Sequence, residues 1–303
     1  MTLSTKEAVA SLKILACVAM ADGKIHDNER TALTVALEQF AEIDPEAAKE
    51  IQNVDQLLRV SAMNKVAEYA QVIFSADARE LAYNTAFAMA NVDGDCDPTE
   101  QEVLDILQSA FEIKPRKVGT LLSVLKNMRQ SFHRETPVTA EFDLAKREMA
   151  VEKLAMHYAT LCSMFWVFPS LGVAIAPDLL IFTYQCQMIR EVAICWERDG
   201  AQVNAYDILK GIVGDTNLTG VRDTISNLTR MPPVGATMTG VAQTFANTWA
   251  LTVAVNKYFA QLAAGGAVDM AVIQAEFQNA CARGAEVYKE NTNFVREKIG
   301  SLK

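Results

Sequence analysis

The chain lacks the short motifs that mark common catalytic and phosphate-binding sites. It contains no G-x-x-x-x-G-K-[ST] phosphate loop, no H-E-x-x-H pattern and no nucleophile elbow. It also lacks the alternation of apolar and polar residues that is typical of strands, whereas helical spacing of apolar residues is frequent. These absences favour an all-α protein that is not an enzyme.

Paired cysteines and excess positive charge are missing as well. The 303 residues include six cysteines, none of them in a C-x-x-C pair, which is typical of reduced thiols in a cytosolic protein. The N-terminus MTLSTKEAVASLK lacks the charged-then-apolar order of a secretory signal. A net charge of -9 argues against nucleic acid as a partner. A cytoplasmic protein is therefore expected.

The most distinctive feature present is a repeated acidic turn. Asp22-Gly23 opens the first copy and Asp93-Gly94 opens the second, 71 residues later (93 − 22 = 71). Each copy follows an apolar run rich in Ala and Met, and each has a Glu seven residues after its Asp (Glu29 and Glu100). Glycine at this point suits the left-handed end of a helix. The turns are thus predicted to join helices.

Helical periodicity supports this interpretation in the first half of the chain. The predicted helices cover residues 6–20, 28–40, 64–74, 78–90, 98–111 and 116–132, with a further helix starting at Pro45. Residues 1–135 are expected to form one helical bundle that contains both turns.

The acidic side chains of the turns are candidate ligands for a divalent cation. Hard cations such as Ca²⁺ or Mg²⁺ prefer several oxygen ligands. The candidates are Asp93, Asp95, Asp97 and Glu100 in the second turn, with Asp22 and Glu29 in the first. The second turn is not an EF-hand loop, because Pro98 stands where that loop needs Gly and Leu104 where it needs Glu.

Helix capping is the alternative role for the same residues. Asp97 followed by Pro98 and Glu100 has the pattern of an N-cap, an N1 proline and a capping-box Glu. Glu29 takes the corresponding place after His26. Capping and cation binding are compatible, so the sequence leaves both open.

The motifs ADGKIHDNE and NVDGDCDPTE resemble those of the tellurite-resistance TerB-like family. The similarity covers roughly residues 5 to 132. It implies an all-helical domain whose acidic residues are implicated in divalent-metal binding. That implication falls on Asp22 and Glu29 and on Asp93 and Glu100. Because the first turn departs from the family pattern with Lys24 and His26, the second turn is the stronger candidate.

Residues 136–303 are expected to form a separate apolar helical domain, because Pro137 in the boundary segment 135–139 ends the helical pattern of the first half. Two stretches, 154–189 and 231–256, are poor in charge and long enough to reach across a bilayer. Prolines interrupt the first, and Thr, Gln and Asn side chains punctuate the second. Both stretches therefore suggest peripheral or hairpin membrane contact, with a protein core or self-association as the alternative. Residues 269–298 are predicted to form one long final helix.

The order of motifs in this half is similar to that of the YcjF-type domain of unknown function. The motifs are Pro177-Asp178-Leu179-Leu180, Gln187-Met188-Ile189-Arg190 and Pro232-Pro233-Val234-Gly235, within about residues 145–264. The resemblance implies association with the inner face of the bacterial cytoplasmic membrane.

Together these patterns predict a non-enzymatic, divalent-metal-binding scaffold or adaptor at the cytoplasmic membrane face, in bacterial stress or envelope physiology. Its partners would be other proteins or further copies of itself. The alternative is a soluble self-assembling structural protein with no lipid contact, and a metal-dependent hydrolase is a distant third hypothesis.

Overall fold

The computed structural model describes residues 3–90, 96–114, 138–164, 175–213 and 240–300. All regular secondary structure in these ranges is helical, which confirms the predicted all-α fold. The chain divides into two compact units. The first contains the described residues up to 114 together with residues 175–183, and the second contains residues 138–164, 184–213 and 240–300. The predicted boundary at residue 135 lies outside the described ranges and stays a prediction.

The first unit follows the predicted order of helices. Its α-helices are Thr5–Ala19 (α1), Asp27–Ile43 (α2), Pro45–Glu50 (α3), Val54–Val60 (α4), Val66–Gln71 (α5), Ala76–Met89 (α6) and Pro98–Ala110 (α7). Two details differ from the expectation. The predicted helix 64–74 is a 3-10 turn, Met63–Lys65, followed by the short α5. Helix α4 was not predicted, although Asn53 caps its start. The predicted helix 116–132 lies outside the described residues.

Helix α1 forms the centre of this unit. It contacts each of the helices α2 to α7. Its side chains Leu12, Ile14, Leu15 and Val18 are fully buried or nearly so. A helix that is apolar around most of its circumference must be enclosed by others, so the sequence of α1 places it inside and the turn that follows it at the surface.

The second unit is built around one long apolar helix. The α-helices after residue 138 are Leu144–Met164 (α8), Ile175–Cys195 (α9), Ala205–Val213 (α10), Gly240–Ala263 (α11), Met270–Glu290 (α12) and Thr292–Gly300 (α13). All of them belong to the second unit except residues 175–183 of α9. Helix α11 packs against both α8 and α12, and its Phe245, Trp249 and Leu251 are buried.

Part of each charge-poor stretch lies in the helices that form this core. Residues 154–164 of the first and 240–256 of the second lie in α8 and α11, which pack against each other. No helix among those described combines the length and the apolar character needed to cross a bilayer. Residues 165–174 and 231–239 of the two stretches lie outside the described ranges.

The predicted helix over 269–298 is divided at Asn291. The side chains of Asn291 and Thr292 donate hydrogen bonds to the carbonyls of Val287 and Tyr288, at 2.9 and 2.8 Å. Such side-chain bonds compete with the backbone ladder of a helix. Helix α12 therefore ends at Glu290 and α13 starts at Thr292.

Candidate functional site

The first acidic turn connects α1 to α2 through a left-handed glycine. Gly23 has a φ of 82°, and its N–H donates to the carbonyl of Met20 at 3.0 Å. The Asp22 carboxylate accepts the N–H of Lys24 on Oδ1 at 2.8 Å, and its Oδ2 lies 3.6 Å from Nε2 of His26. The Asp22 side chain therefore holds the turn in shape.

Glu29 closes the start of α2. Its Oε2 accepts the N–H of His26 at 2.7 Å, and the residue is only 5% exposed. The first N–H groups of a helix have no partner within the helix itself. The Glu29 carboxylate, three positions after His26, satisfies one of them. The predicted capping role of Glu29 is confirmed.

The second turn ends in a complete capping box. Asp97 Oδ1 accepts the N–H groups of Thr99 and Glu100 at 2.6 and 2.9 Å, and Glu100 Oε2 accepts the N–H of Asp97 at 2.9 Å. Pro98 occupies the first helical position. The hydrogen bond from the Thr99 hydroxyl, followed by that from the Glu100 N–H, lowers the pKa of Asp97. The predicted N-cap, N1 proline and capping-box Glu are all confirmed.

The structure describes four of the six predicted ligand residues. Asp93 and Asp95 lie outside the described residues. Asp97 and Glu100 lie together at the start of α7, and Asp22 and Glu29 lie in the first turn. Within the described ranges, no group of three or more His, Cys, Asp or Glu side chains is arranged to hold a metal ion. Cation binding at the turns stays a prediction.

Glu7 is an important residue of this unit that the sequence analysis missed. Its Oε2 accepts the N–H and the hydroxyl of Ser4, at 3.1 and 2.7 Å. Its Oε1 accepts the N–H groups of Phe74 and Ser75, at 3.1 and 3.2 Å. One carboxylate thus joins the start of α1 to the start of α6.

Those hydrogen bonds determine the charge state of Glu7. Burial raises its pKa, but the hydrogen bonds from Ser4, Ser75 and Phe74 outweigh that effect and lower the pKa from 4.5 to about 2. The group is therefore ionised in the folded state at any pH above that value, and its negative charge lies near the N-termini of two helices, where it is favourable.

The sequence contains a signal that could have revealed Glu7. Ser4 and Glu7 have the spacing of a capping box, and that box is formed. Ser75, the N-cap of α6, lies 71 residues after Ser4 (75 − 4 = 71), the same offset that separates the two acidic turns. The internal repeat therefore extends back to the helix that precedes each turn, and Glu7 links the two copies.

Replacing Glu7 with Gln is expected to lower the free energy of unfolding by about 1.5 kcal/mol at neutral pH. The amide cannot accept all four hydrogen bonds, because its NH₂ group is itself a donor. In the wild type, a lowered pKa in the folded state stabilises the protein above pH 4.5, and this contribution is lost as the pH falls toward about 2. The variant should therefore lose less stability across that interval, as measured by urea denaturation followed by circular dichroism.

Glu46→Gln provides the matched control for this substitution. The Glu46 side chain is 63% exposed and pairs only with Lys49 among the described residues, so a change within about 0.5 kcal/mol is expected. Equal losses in the two variants would show that the hydrogen bonds of Glu7 do not stabilise the fold.

The first unit is thus an all-helical domain with two capped acidic turns related by an internal repeat. Residues 7–122 match the family model described as tellurite resistance protein TerB. The predicted TerB-like character of the N-terminal part is confirmed, and with it a relation to tellurite-resistance proteins. A search of curated proteins gave no match, and a search of solved structures also gave none. No comparison supports the YcjF-type resemblance, which stays a prediction.

Proposed function

We propose that the protein is a non-enzymatic adaptor whose TerB-like part binds a divalent cation, Ca²⁺ or Mg²⁺, at the second acidic turn. The observation that carries this proposal is the match of residues 7–122 to the TerB family model, since that range contains both turns. Cation binding there would fix the angle between α6 and α7 and with it the surface that the unit offers to a partner.

The geometry of Asp97 supports cation binding at this turn. Every hydrogen bond described for its carboxylate is accepted by Oδ1. Among the described residues, no donor is bonded to Oδ2, so this oxygen could ligate a cation. Because its pKa is lowered by the Thr99 hydroxyl and the Glu100 N–H, the group carries its full charge at neutral pH. Asp93 and Asp95 precede it at alternate positions, the spacing at which several Ca²⁺ loops supply their first ligands.

The first turn is expected to bind more weakly. Lys24 and His26 occupy the positions that correspond to Asp95 and Asp97, so one carboxylate is replaced by a positive charge and another by an imidazole. The remaining Asp22 already uses Oδ1 for the N–H of Lys24.

Calorimetric titration with Ca²⁺ and Mg²⁺ tests the site. We expect heat of binding and a higher melting temperature for the wild type, because a ligand that binds only the folded state stabilises it. Asp95→Asn should weaken binding by about tenfold or more, since it removes a charged ligand. Asp97→Ala is less informative, because losing the cap costs about 1 kcal/mol with or without a cation.

Asp105→Asn is the control for the loss of one charge. Asp105 is exposed on α7, beyond the turn, and accepts a hydrogen bond from Gln101. Unchanged binding is expected in this variant. Absence of both heat and thermal shift in the wild type would rule out the cation. An Asp95→Asn protein that binds as tightly as the wild type would place the cation elsewhere.

The adaptor role at the cytoplasmic membrane face, in bacterial stress or envelope physiology, is the second part of the proposal. Large apolar side chains that are exposed beside one another support a docking role, because a folded protein rarely leaves them uncovered. Phe142, two residues before α8, and Leu144, the first residue of α8, are 77% and 60% exposed.

Self-assembly without lipid contact is a second candidate. Residues 154–164 and 240–256 lie in α8 and α11, which pack against each other, so these parts of the charge-poor stretches are covered by protein and need no bilayer. Sedimentation with and without anionic vesicles separates the two. Co-sedimentation with vesicles supports the membrane role, and oligomers that ignore vesicles support self-assembly.

A further inference from the structure

The second unit contains a small cavity beside the loop that follows α9. Its volume is about 370 Å³, at the lower end of the range for small-molecule pockets. Residues 198–204 of the loop, the first turn of α10 and the last turns of α11 line it. Helix α10 packs against α11, so the two helical walls are held together.

Hydrogen bonds within the loop form the cavity without a ligand. Asp199 Oδ1 accepts the N–H of Ala201 at 3.0 Å, and its Oδ2 accepts the side-chain amide of Gln202 at 2.9 Å. A Cβ atom at Gly200 would lie 3.0 Å from the carbonyl oxygen of Arg190, so the loop lies closely against α9. The cavity is therefore largely preformed, as small-molecule sites usually are.

Arg198 gives the cavity one positive group that the fold does not use. The N–H of Arg198 is bonded to the carbonyl of Ala193 at 3.0 Å, which fixes the backbone at this point. The side chain is exposed, and none of the described residues pairs with its guanidinium. A guanidinium presents a planar fork of donors that matches a carboxylate. An anionic group of a ligand can therefore bind here without displacing a protein partner.

Asp207 gives the cavity a negative group on α10. Its Oδ2 accepts the amide of Asn204 at 2.6 Å, and its N–H donates to Asn204 Oδ1 at 3.2 Å. These bonds hold the carboxylate at the start of the helix, and no donor among the described residues is bonded to Oδ1. The hydroxyl of Tyr258, on α11, likewise has no partner in the described part of the chain. It can donate or accept a hydrogen bond.

The rest of the wall is apolar. Phe259 is only 2% exposed, and three aliphatic side chains beside the cavity are half-buried: Val203, Ile208 and Leu262. Covering the half-buried side chains with an apolar group would remove them further from water, which is favourable in proportion to the area buried. The cavity thus combines an apolar wall with one unpaired group of each charge.

The charges on the wall distinguish between classes of ligand. An acid without an amine would meet the carboxylates of Asp199 and Asp207, and an amine without an acid would meet the guanidinium of Arg198. A ligand that carries both charges has a partner for each. The Arg198 side chain is long and no described residue fixes it, so it can reach a carboxylate close to an ammonium at Asp207.

We propose that this cavity binds an α-amino acid with an apolar side chain. The carboxylate of the ligand pairs with Arg198, its ammonium pairs with Asp207, and its side chain lies against the apolar wall. The inference is independent of cation binding at the acidic turns, because all lining residues belong to the second unit.

Equilibrium dialysis of the full chain against radiolabelled L-phenylalanine tests the proposal. Saturable binding is expected. Two competitors each lack one charge of the amino acid: 3-phenylpropanoate lacks the ammonium, and phenethylamine lacks the carboxylate. Each should compete about tenfold less well than unlabelled phenylalanine, or worse. Absence of binding, or a competitor as effective as phenylalanine itself, would overturn the proposal.

Glycine tests the contribution of the apolar wall. It carries both charges and no side chain, so it should compete about tenfold less well than phenylalanine, or worse. Competition by glycine that equals that of phenylalanine would show that the wall does not contact the ligand and would overturn the assignment to apolar amino acids.

Two substitutions assign the binding to the cavity. Arg198→Gln removes the charge that faces the carboxylate, and Asp207→Asn removes the charge that faces the ammonium but keeps an acceptor for Asn204. Each should weaken phenylalanine binding about tenfold or more. Circular dichroism melts show whether both variants are folded.

The matched controls remove the same charges outside the cavity. Lys257→Gln acts at an exposed position of α11 beside Tyr258, and Asp269→Asn acts at the exposed N-cap of α12. Neither residue lines the cavity, so both proteins should bind as the wild type does. Unchanged binding in either cavity variant would overturn the proposal, as would an equal loss in a cavity variant and its control.

Discussion

Arg147→Ala is expected to lower the free energy of unfolding of the second unit by about 3 kcal/mol. Arg147 is one of few charged residues buried in that unit, at 9% exposure. Its Nε–H is shared between the carbonyls of Glu141 and Cys195, at 2.8 and 3.1 Å. Its guanidinium lies over the Trp196 ring, 4.2 Å from the ring centre. Alanine would leave these groups without the arginine and open a gap beside the indole.

The backbone at the end of α9 explains why this loss should be large. Glu197 adopts a left-handed conformation, with a φ of 60°, and the N–H of Arg198 donates to the carbonyl of Ala193 at 3.0 Å. This is the geometry of a Schellman motif at the end of a helix. The last carbonyls of a helix have no donor within the helix. Arg147 on α8 donates to one of these carbonyls, that of Cys195, which lies 48 residues later in the chain. The ion pair with Glu197, at 3.2 Å, contributes less, because the Glu197 side chain is 43% exposed.

Urea denaturation followed by tryptophan fluorescence measures this effect. The three tryptophans, Trp166, Trp196 and Trp249, all lie after residue 138. Arg283→Ala is the matched control, since Arg283 also lies over a tryptophan ring, 5.5 Å from the centre of Trp249, but is exposed. A loss below about 1 kcal/mol is expected there. Losses of equal size in both variants would show that the buried hydrogen bonds of Arg147 contribute nothing.

Gly284→Ala is expected to destabilise the second unit by about 2 kcal/mol, although alanine is the better helix former. A Cβ atom at Gly284 would lie 2.6 Å from the backbone oxygen and 3.0 Å from the Cα of Ala246. These are backbone atoms of α11, so the overlap cannot be relieved by a side-chain rotation. The helices would have to move apart, and part of the contact between α11 and α12 would be lost.

Gly266→Ala separates this steric effect from the general effect of replacing glycine. A Cβ at Gly266 would meet nothing within 4 Å, so the variant should be neutral or more stable by up to about 1 kcal/mol. The same fluorescence-detected unfolding compares the two proteins. A Gly284→Ala protein as stable as the wild type would mean that α11 and α12 do not approach each other so closely.

The two acidic turns show how far local sequence patterns reach. Every bond that forms the capping box of α7 joins residues no more than three positions apart, and Glu29 accepts its N–H over the same short distance. Such bonds depend only on residue types and helical geometry. The sequence therefore predicted them correctly, together with most helix positions. The sequence did not predict the helix break at Asn291, because that break depends on which of several local hydrogen bonds is favoured.

Contacts between residues far apart in the chain cannot be predicted from such local patterns. Glu7 meets Phe74 and Ser75 across 67 and 68 positions. Arg147 reaches Cys195 only because α8 and the end of α9 pack together, and the close approach at Gly284 exists only where α11 crosses α12. No spacing rule specifies such pairs, since they depend on how the apolar faces of whole helices pack.

By itself, then, the sequence determined the helical class, the internal repeat of 71 residues, the capped turns and the TerB-like character of the first part. Periodicity and capping operate over one or two helical turns, which a sequence displays directly. Only the tertiary structure decided that Glu7 joins the two copies of the repeat, and that residues 154–164 and 240–256 of the charge-poor stretches lie in helices that pack against each other. Each of these depends on helices brought together by burial of apolar surface, which no short stretch of sequence displays.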